Sequence, residues 1–165
     1  MSYVFTPAEF SDITQIYEII KNRVSWMSQN GIQQWNTTDY LNVYPPSYFE
    51  EHQKHGRLFK MYDTNTDEIL GVMVLLDSDA RWDGYESASS YFVHNFATKP
   101  SVKGVGSLML EEAEKLSIKA KKAYLRLDCP AHNIFLNNYY EEKAYKKIGT
   151  CVDGAYKGIL REKKL

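Results

Sequence analysis

The chain has 165 residues and a mass of 19.2 kDa, enough for one domain with a sizeable core and no need of disulfides. Its 20 basic and 21 acidic residues leave a net charge of −1, which gives no electrostatic footprint for nucleic acid or for an anionic membrane surface. With only Cys129 and Cys151, no basic leader followed by an apolar stretch, and no apolar run near the roughly 20 residues of a membrane span, a cytoplasmic protein is predicted.

In chain order, Tyr3 to Phe5 reads as a short strand, and Thr6-Pro7-Ala8-Glu9 has the form of a capping box with proline at the first helical position. A helix is therefore predicted from there. Ile13, Ile16, Tyr17, Ile20, Val24 and Met27 continue it as an apolar stripe, and Asn30-Gly31 suits a left-handed cap. Trp26 and Trp35 can wall a ligand pocket or simply pack. Pro45-Pro46-Ser47 opens a second helix that runs to Lys54 and closes at His55-Gly56. Arg57 to Tyr62 and Glu68 to Leu76 read as a hairpin around the turn formers 63–67. The polar run 77–89 is expected to be a mobile loop, with Trp82 or Tyr85 free to fold over a substrate.

Residues 94–140 organise the rest. The strand Tyr91 to Ala97 leads into a basic, glycine-containing turn between Lys99 and Ser107. A helix follows whose apolar positions Val105, Met109, Ala113, Leu116 and Ala120 share one face. Acidic residues fall early in it and basic residues late, as the helix dipole favours. A second apolar strand, Ala123 to Asp128, completes a βαβ unit with parallel strands. Glycine at the helix start leaves N–H groups without partners, which makes an anion site. Asn133 and the pair Tyr139-Tyr140 come next, and Tyr145 to Cys151 and Ala155 to Glu162 read as two final strands about an Asp153-Gly154 turn.

These residues resemble the GCN5-related N-acetyltransferase (GNAT) superfamily. Its phosphate loop, (Gln/Arg)-x-x-Gly-x-(Gly/Ala), is matched by Ser101, Val102, Lys103, Gly104, Val105 and Gly106, with Ser101 standing where the family has glutamine or arginine. Downstream, Asn133, Tyr139, Tyr140, Glu141, Lys143, Ala144 and Tyr145 resemble the family's Asn…Tyr-Glu-x-x-Gly-Phe ending, with Ala144 for glycine and Tyr145 for phenylalanine. The resemblance implies a single α/β domain over 1–165 with a mixed, mostly antiparallel sheet, flanked by helices, whose central parallel strands splay.

It also implies acetyl-CoA as cofactor, CoA as product, and transfer to a primary amine by direct attack. The cofactor's arm would pair with Asn95, Phe96, Ala97 and Thr98, and its pyrophosphate would lie on amides of Lys103, Gly104, Val105, Gly106 and Ser107. A main-chain N–H of Phe96 or Ala97 would face the carbonyl oxygen. Tyr140 takes the position of the family's general acid, with Tyr139 as its rival. Asn133 would cap a helix and touch the cofactor, with equal weight on each role. For the base, His94, Asp128, Glu86 and a water chain all stay open. The acceptor is a small-molecule amine or a protein amino group, and a homodimer is the default assembly. The histidines and cysteines show no metal-site spacing. A non-catalytic acyl-CoA-binding module of the same fold is the alternative; dinucleotide binding is disfavoured by the absence of Gly-x-Gly-x-x-Gly.

Overall fold

The computed structural model describes residues 2–165. Seven strands form one mixed sheet in the order β1-β2-β3-β4-β5-β7-β6: β1 (Tyr3–Pro7), β2 (Leu58–Asp63), β3 (Glu68–Leu76), β4 (Ser90–Thr98), β5 (Tyr124–Pro130), β6 (Lys146–Asp153) and β7 (Tyr156–Lys164). The helices are α1 (Ile13–Gln29), α2 (Tyr40–Val43), α3 (Pro46–Lys54), α4 (Val105–Lys119) and α5 (Ile134–Glu142). The chain forms two compact units: the first reaches to Leu75 and adds Asn95–Glu112, and the second comprises Leu76–His94 and Ala113–Leu165.

In the first unit β1 and β2 pair antiparallel from Tyr3↔Asp63 to Pro7↔Phe59, and β2 with β3 forms the expected hairpin, with a register shift between Met61 and Tyr62. Every residue of β3 from Ile69 to Leu75 is buried, the run expected of a strand covered on both faces. A Cβ at Gly71 would run into Met109 Sδ and lie 3.2 Å from the Ala97 carbonyl and from Thr98 Cγ2, so the packing of α4 and β4 on β3 favours glycine there. The stripe of α1 buries Ile13, Ile16, Ile19, Ile20 and Met27, and α3 adds Phe49.

The predicted helix start at Thr6 is not what forms. Thr6 and Pro7 complete β1, which is an edge strand where proline's missing N–H costs no ladder bond, and Ala8 N–H still donates to Leu58 O at 2.9 Å. Capping falls to the next acidic pair. Glu9 N–H donates to Asp12 Oδ2 at 2.7 Å and Asp12 N–H to Glu9 O at 3.0 Å, around a 3-10 turn (Phe10–Asp12) that feeds α1. The ends of α1 and α3 agree with expectation, with Gly31 and Gly56 both at positive φ.

In the second unit the first residues of β4 pair parallel with β5 at Ser90↔Tyr124, Tyr91↔Leu125 and Phe92↔Arg126. The parallel register ends there, although both strands run on. β7 pairs antiparallel with β5 on one side and β6 on the other. The buried face of α4, which begins in the first unit and ends in the second, runs Val105, Met109, Leu110, Ala113 and Ser117; the helix ends at Lys119, and the predicted Ala120 lies outside it and is exposed. Ser117 Oγ donates back to Ala113 O at 2.7 Å, which removes the cost of burying a hydroxyl.

The run 77–89 is anchored rather than free. Its Trp82 is buried with Phe92, Cys151 and Leu160. Tyr85 OH donates to Thr150 O at 3.2 Å, its ring occupying the space a side chain at Gly149 would need. Neither aromatic is available to fold over a substrate.

Candidate active site

In the first unit, the turn after β4 is held at both ends. Lys99 N–H donates to Leu70 O at 2.8 Å, Val102 N–H to Lys99 O at 3.2 Å, and Leu108 N–H to Gly104 O at 3.2 Å. Gly104 adopts φ +84°, which a side chain resists, and no heavy atom lies within 4 Å of where its Cβ would be. α4 starts at the next residue. Val105 and Met109 are fully buried and fix the helix, while Lys103 and Gly104 are exposed and Gly106 and Ser107 half-buried. The first-turn N–H groups, for which a helix supplies no acceptors, thus begin at a turn with open space beside it.

The end of β4 carries a further distortion. Asn95 stands at φ +48° within the strand, a conformation that costs roughly 1–3 kcal/mol for a residue other than glycine but that asparagine tolerates best. Its side chain is fixed from both ends: Tyr48 OH donates to Oδ1 at 2.9 Å, and Nδ2 donates to Tyr40 OH at 2.7 Å. Those tyrosines belong to a column of rings in which Trp35 stacks on Tyr40 at 4.3 Å, Tyr40 meets Tyr44 at 4.6 Å, Tyr44 meets Tyr48 at 4.9 Å, and Tyr48 meets His52 at 4.3 Å. Sequence reasoning missed this use of the abundant tyrosines; four aromatics at 40, 44, 48 and 52 share a spacing of four that was there to be read. Phe96 is half-buried and Ala97 buried. Thr98 is already engaged, its carbonyl and hydroxyl both accepting from the Arg23 guanidinium, the hydroxyl at 3.0 Å.

In the second unit Asn133 caps α5, its Oδ1 accepting Leu136 N–H at 3.0 Å. Of the adjacent tyrosines, Tyr140 turns inward and is 6% exposed, with its ring edge-on to Tyr145 at 5.9 Å; Tyr139 is half-buried. Burial, with the nearby Cys129, pushes the Tyr140 hydroxyl well above the ordinary phenol range, so it stays protonated. Burial likewise pushes the Cys129 thiol up to about 11, and its S–H donates to Asn137 Oδ1 at 3.3 Å, the setting of a packed thiol and not of a nucleophile. The buried Arg161 donates to that same Oδ1 at 3.1 Å and to Tyr145 O at 2.9 Å. Asn137 Nδ2 donates to Pro130 O and Asn133 O, each at 2.9 Å, so the rotation of α5 about its axis, and with it the inward turn of Tyr140, is tied down on several sides.

The same unit gathers His94 and Asp128 with a residue the sequence reading did not weigh, Asp79; their nitrogen and oxygen ligand atoms lie within 4.8 Å of one another. His94 Nε2 lies 2.8 Å from Asp79 Oδ2, and Asp79 Oδ1 accepts Arg81 N–H at 3.0 Å. Burial works against the charge on Asp79, but the His94 hydrogen bond, the Arg81 N–H and the positive charges of both hold its carboxyl below the usual carboxylate range. Asp128 is spent on structure: Oδ1 lies 3.3 Å from Arg81 Nη1, and Oδ2 accepts from Tyr156 OH at 2.5 Å. Burial and the Asp128 charge push the Tyr156 hydroxyl far up, so it remains a donor. Arg81 also reaches Asp153 at 3.1 Å. These bonds tie Asp79, Arg81, Asp128, Asp153 and Tyr156 together, with His94 joined to them through Nε2. Glu86 lies exposed on the 77–89 segment.

No protein-family model and no curated protein matches the chain. Solved structures do. A GNAT-family acetyltransferase from Listeria monocytogenes superposes with a TM-score of 0.83 at 20% identity, covering 99% of this chain and 95% of that one. The PaiA N-acetyltransferase from Thermoplasma acidophilum, in complex with coenzyme A, gives 0.75 at 19% identity over the whole of both chains. The ribosomal-protein-S18-alanine N-acetyltransferase from Escherichia coli gives 0.67 at 15% identity over 99% and 94%. Together with the mixed seven-stranded sheet and its parallel β4–β5 pair, these likenesses identify the fold of the chain as that of the GCN5-related N-acetyltransferase superfamily.

Proposed function

We propose that the chain is an acetyl-CoA-dependent N-acetyltransferase that acts on a primary amine by direct attack. The observation that carries this reading is the Gly104 turn, left-handed and open, set at the start of α4 within a fold whose similar structures are acetyltransferases. Bound acetyl-CoA supplies an acyl carbon activated as a thioester. The chain's own groups do the rest. Amides of Gly104, Val105, Gly106 and Ser107 hold the pyrophosphate, with Lys103 as counter-charge. The main chain of Asn95, Phe96 and Ala97 holds the cofactor's arm, and one of its N–H groups takes the charge developing on the carbonyl oxygen, a contribution of roughly 3 kcal/mol to the barrier. His94 removes the proton from the incoming amine, and Tyr140, kept protonated by burial, returns one to the departing thiolate. Asn133 caps α5 and so places Tyr140. The acceptor is a small-molecule amine or a protein amino group, encountered in the cytoplasm.

Isothermal titration with acetyl-CoA, using desulfo-CoA and NAD as comparators, tests the reading. Micromolar binding of acetyl-CoA that Gly104→Glu abolishes, followed by thiol release with a panel of amines, is the expected result. Binding without turnover on any amine would instead favour a non-catalytic acyl-CoA-binding module, and no binding would overturn the cofactor assignment.

A further inference from the structure

We propose that Asp79 is a positioning residue for a general base at His94, fixing its tautomer so that the amine proton is accepted at Nδ1; this deepens the acetyltransferase reading and rests on it. The two residues are 15 apart in sequence, with Asp79 capping a 3-10 turn (Ala80–Trp82) and His94 lying on β4. The carboxylate of Asp79 has little freedom. One oxygen takes Arg81 N–H and the other faces His94 Nε2, while the turn behind it is fastened by buried Trp82 and by Arg81 reaching Asp128 and Asp153.

An ionised carboxylate only accepts, so the hydrogen of a neutral imidazole in this contact sits on Nε2 and the lone pair is left on Nδ1. Among the described residues nothing bonds to Nδ1, and the side chain keeps 14% exposure. The proton step balances on these atoms. An N–H bond of the substrate alkylammonium breaks, its electron pair stays on the amine nitrogen for attack on the acyl carbon, and the proton goes to Nδ1. The imidazolium so formed then faces the Asp79 charge. The other charged groups in the cluster are committed: Asp128 to Arg81 and Tyr156, Asp153 to Arg81. Each oxygen of Asp128 thus already has a structural partner, whereas His94 Nδ1 has none among the described residues.

A purely structural ion pair would tie down the 77–89 segment and nothing more, so the test needs a readout blind to stability. Steady-state turnover is measured for the wild type, Asp79→Asn, His94→Gln and the double variant, together with the imidazole 15N spectrum of the wild type. Expected is a loss of about tenfold or more in kcat for Asp79→Asn with the KM for acetyl-CoA unchanged, no further loss when His94 is already glutamine, and an Nε2–H tautomer in the spectrum. An Nδ1–H tautomer, or the same fold-loss from Asp79→Asn with and without His94, would overturn the proposal. The spectrum needs no variant to fold. A wild type that binds no acetyl-CoA overturns the acetyltransferase reading itself, whereas an active wild type whose Asp79→Asn variant is equally active overturns only the role of Asp79.

Discussion

Tyr140 shows how little a residue's identity says without its surroundings. Adjacent helical positions point about 100° apart, so of Tyr139 and Tyr140 only one can turn inward, and the anchoring of Asn137 by Arg161 makes it Tyr140. An inward phenol in an apolar setting keeps its proton at any working pH, which an acid needs and a base cannot use. Tyr140→Phe preserves the ring and its edge-on contact with Tyr145 while deleting the hydroxyl. It is expected to lower kcat by roughly 100-fold or more, the usual worth of a positioned acid, and to leave acetyl-CoA affinity in calorimetry unchanged. Equal turnover would remove Tyr140 from the role. Asn95 makes a related point, because its strained backbone is recoverable from neither composition nor periodicity. It depends on two hydroxyls that arrive from 47 and 55 residues away.

Among the elements, the segment 77–89 departs furthest from expectation. Its polar composition reads as a free loop, yet one tryptophan, one tyrosine and one arginine bind it to the sheet of the second unit. Gly149→Ala tests how much of this matters, since the new methyl would displace the Tyr85 ring, the far end of a side chain, more cheaply than it would move backbone. The variant is expected to stay folded but to be cut by protease within 77–89 much faster than the wild type, with digestion mapped by mass spectrometry. The contrast with other elements is physical. α1, α3, β2, β3 and the strand–helix–strand run of β4, α4 and β5 were legible because local periodicity and caps decide them. The short α2 was not, because four residues carry no period, and the column of rings from Trp35 to His52 was missed although its spacing of four stands in the sequence. The pairing of Asp79 with His94 was invisible for another reason: only tertiary folding brings those positions together, and His94 and Asp128 alone gave no ground for choosing between them.

At the scale of the molecule, the overall architecture was legible in the sequence through the turn at Gly104 and the Asn133 to Tyr145 ending, whereas the strand order was not. Nothing in the sequence of β7 announces that it lies between β5 and β6, although its long register with β5, from Tyr124↔Lys164 to Pro130↔Gly158, makes it the spine of the second unit. Hydrogen exchange measured by NMR is expected to find the amides of Ile159 and Leu160 among the slowest in that unit, since they are buried and flanked by strands on both sides. Exchange there as fast as in the exposed turn at Gly154 would contradict the register.

That strand order also bears on how the protein is made. A ribosome releases β5 and β6 before β7, so for a time two strands destined to be separated are out in solution with nothing to put between them. Until Arg161 has emerged, it is not there to hold Asn137 and Tyr145. A message truncated inside β7 would therefore yield a nascent chain with two open sheet edges, the kind of surface that chaperones cover and that otherwise pairs with its neighbours on the same polysome.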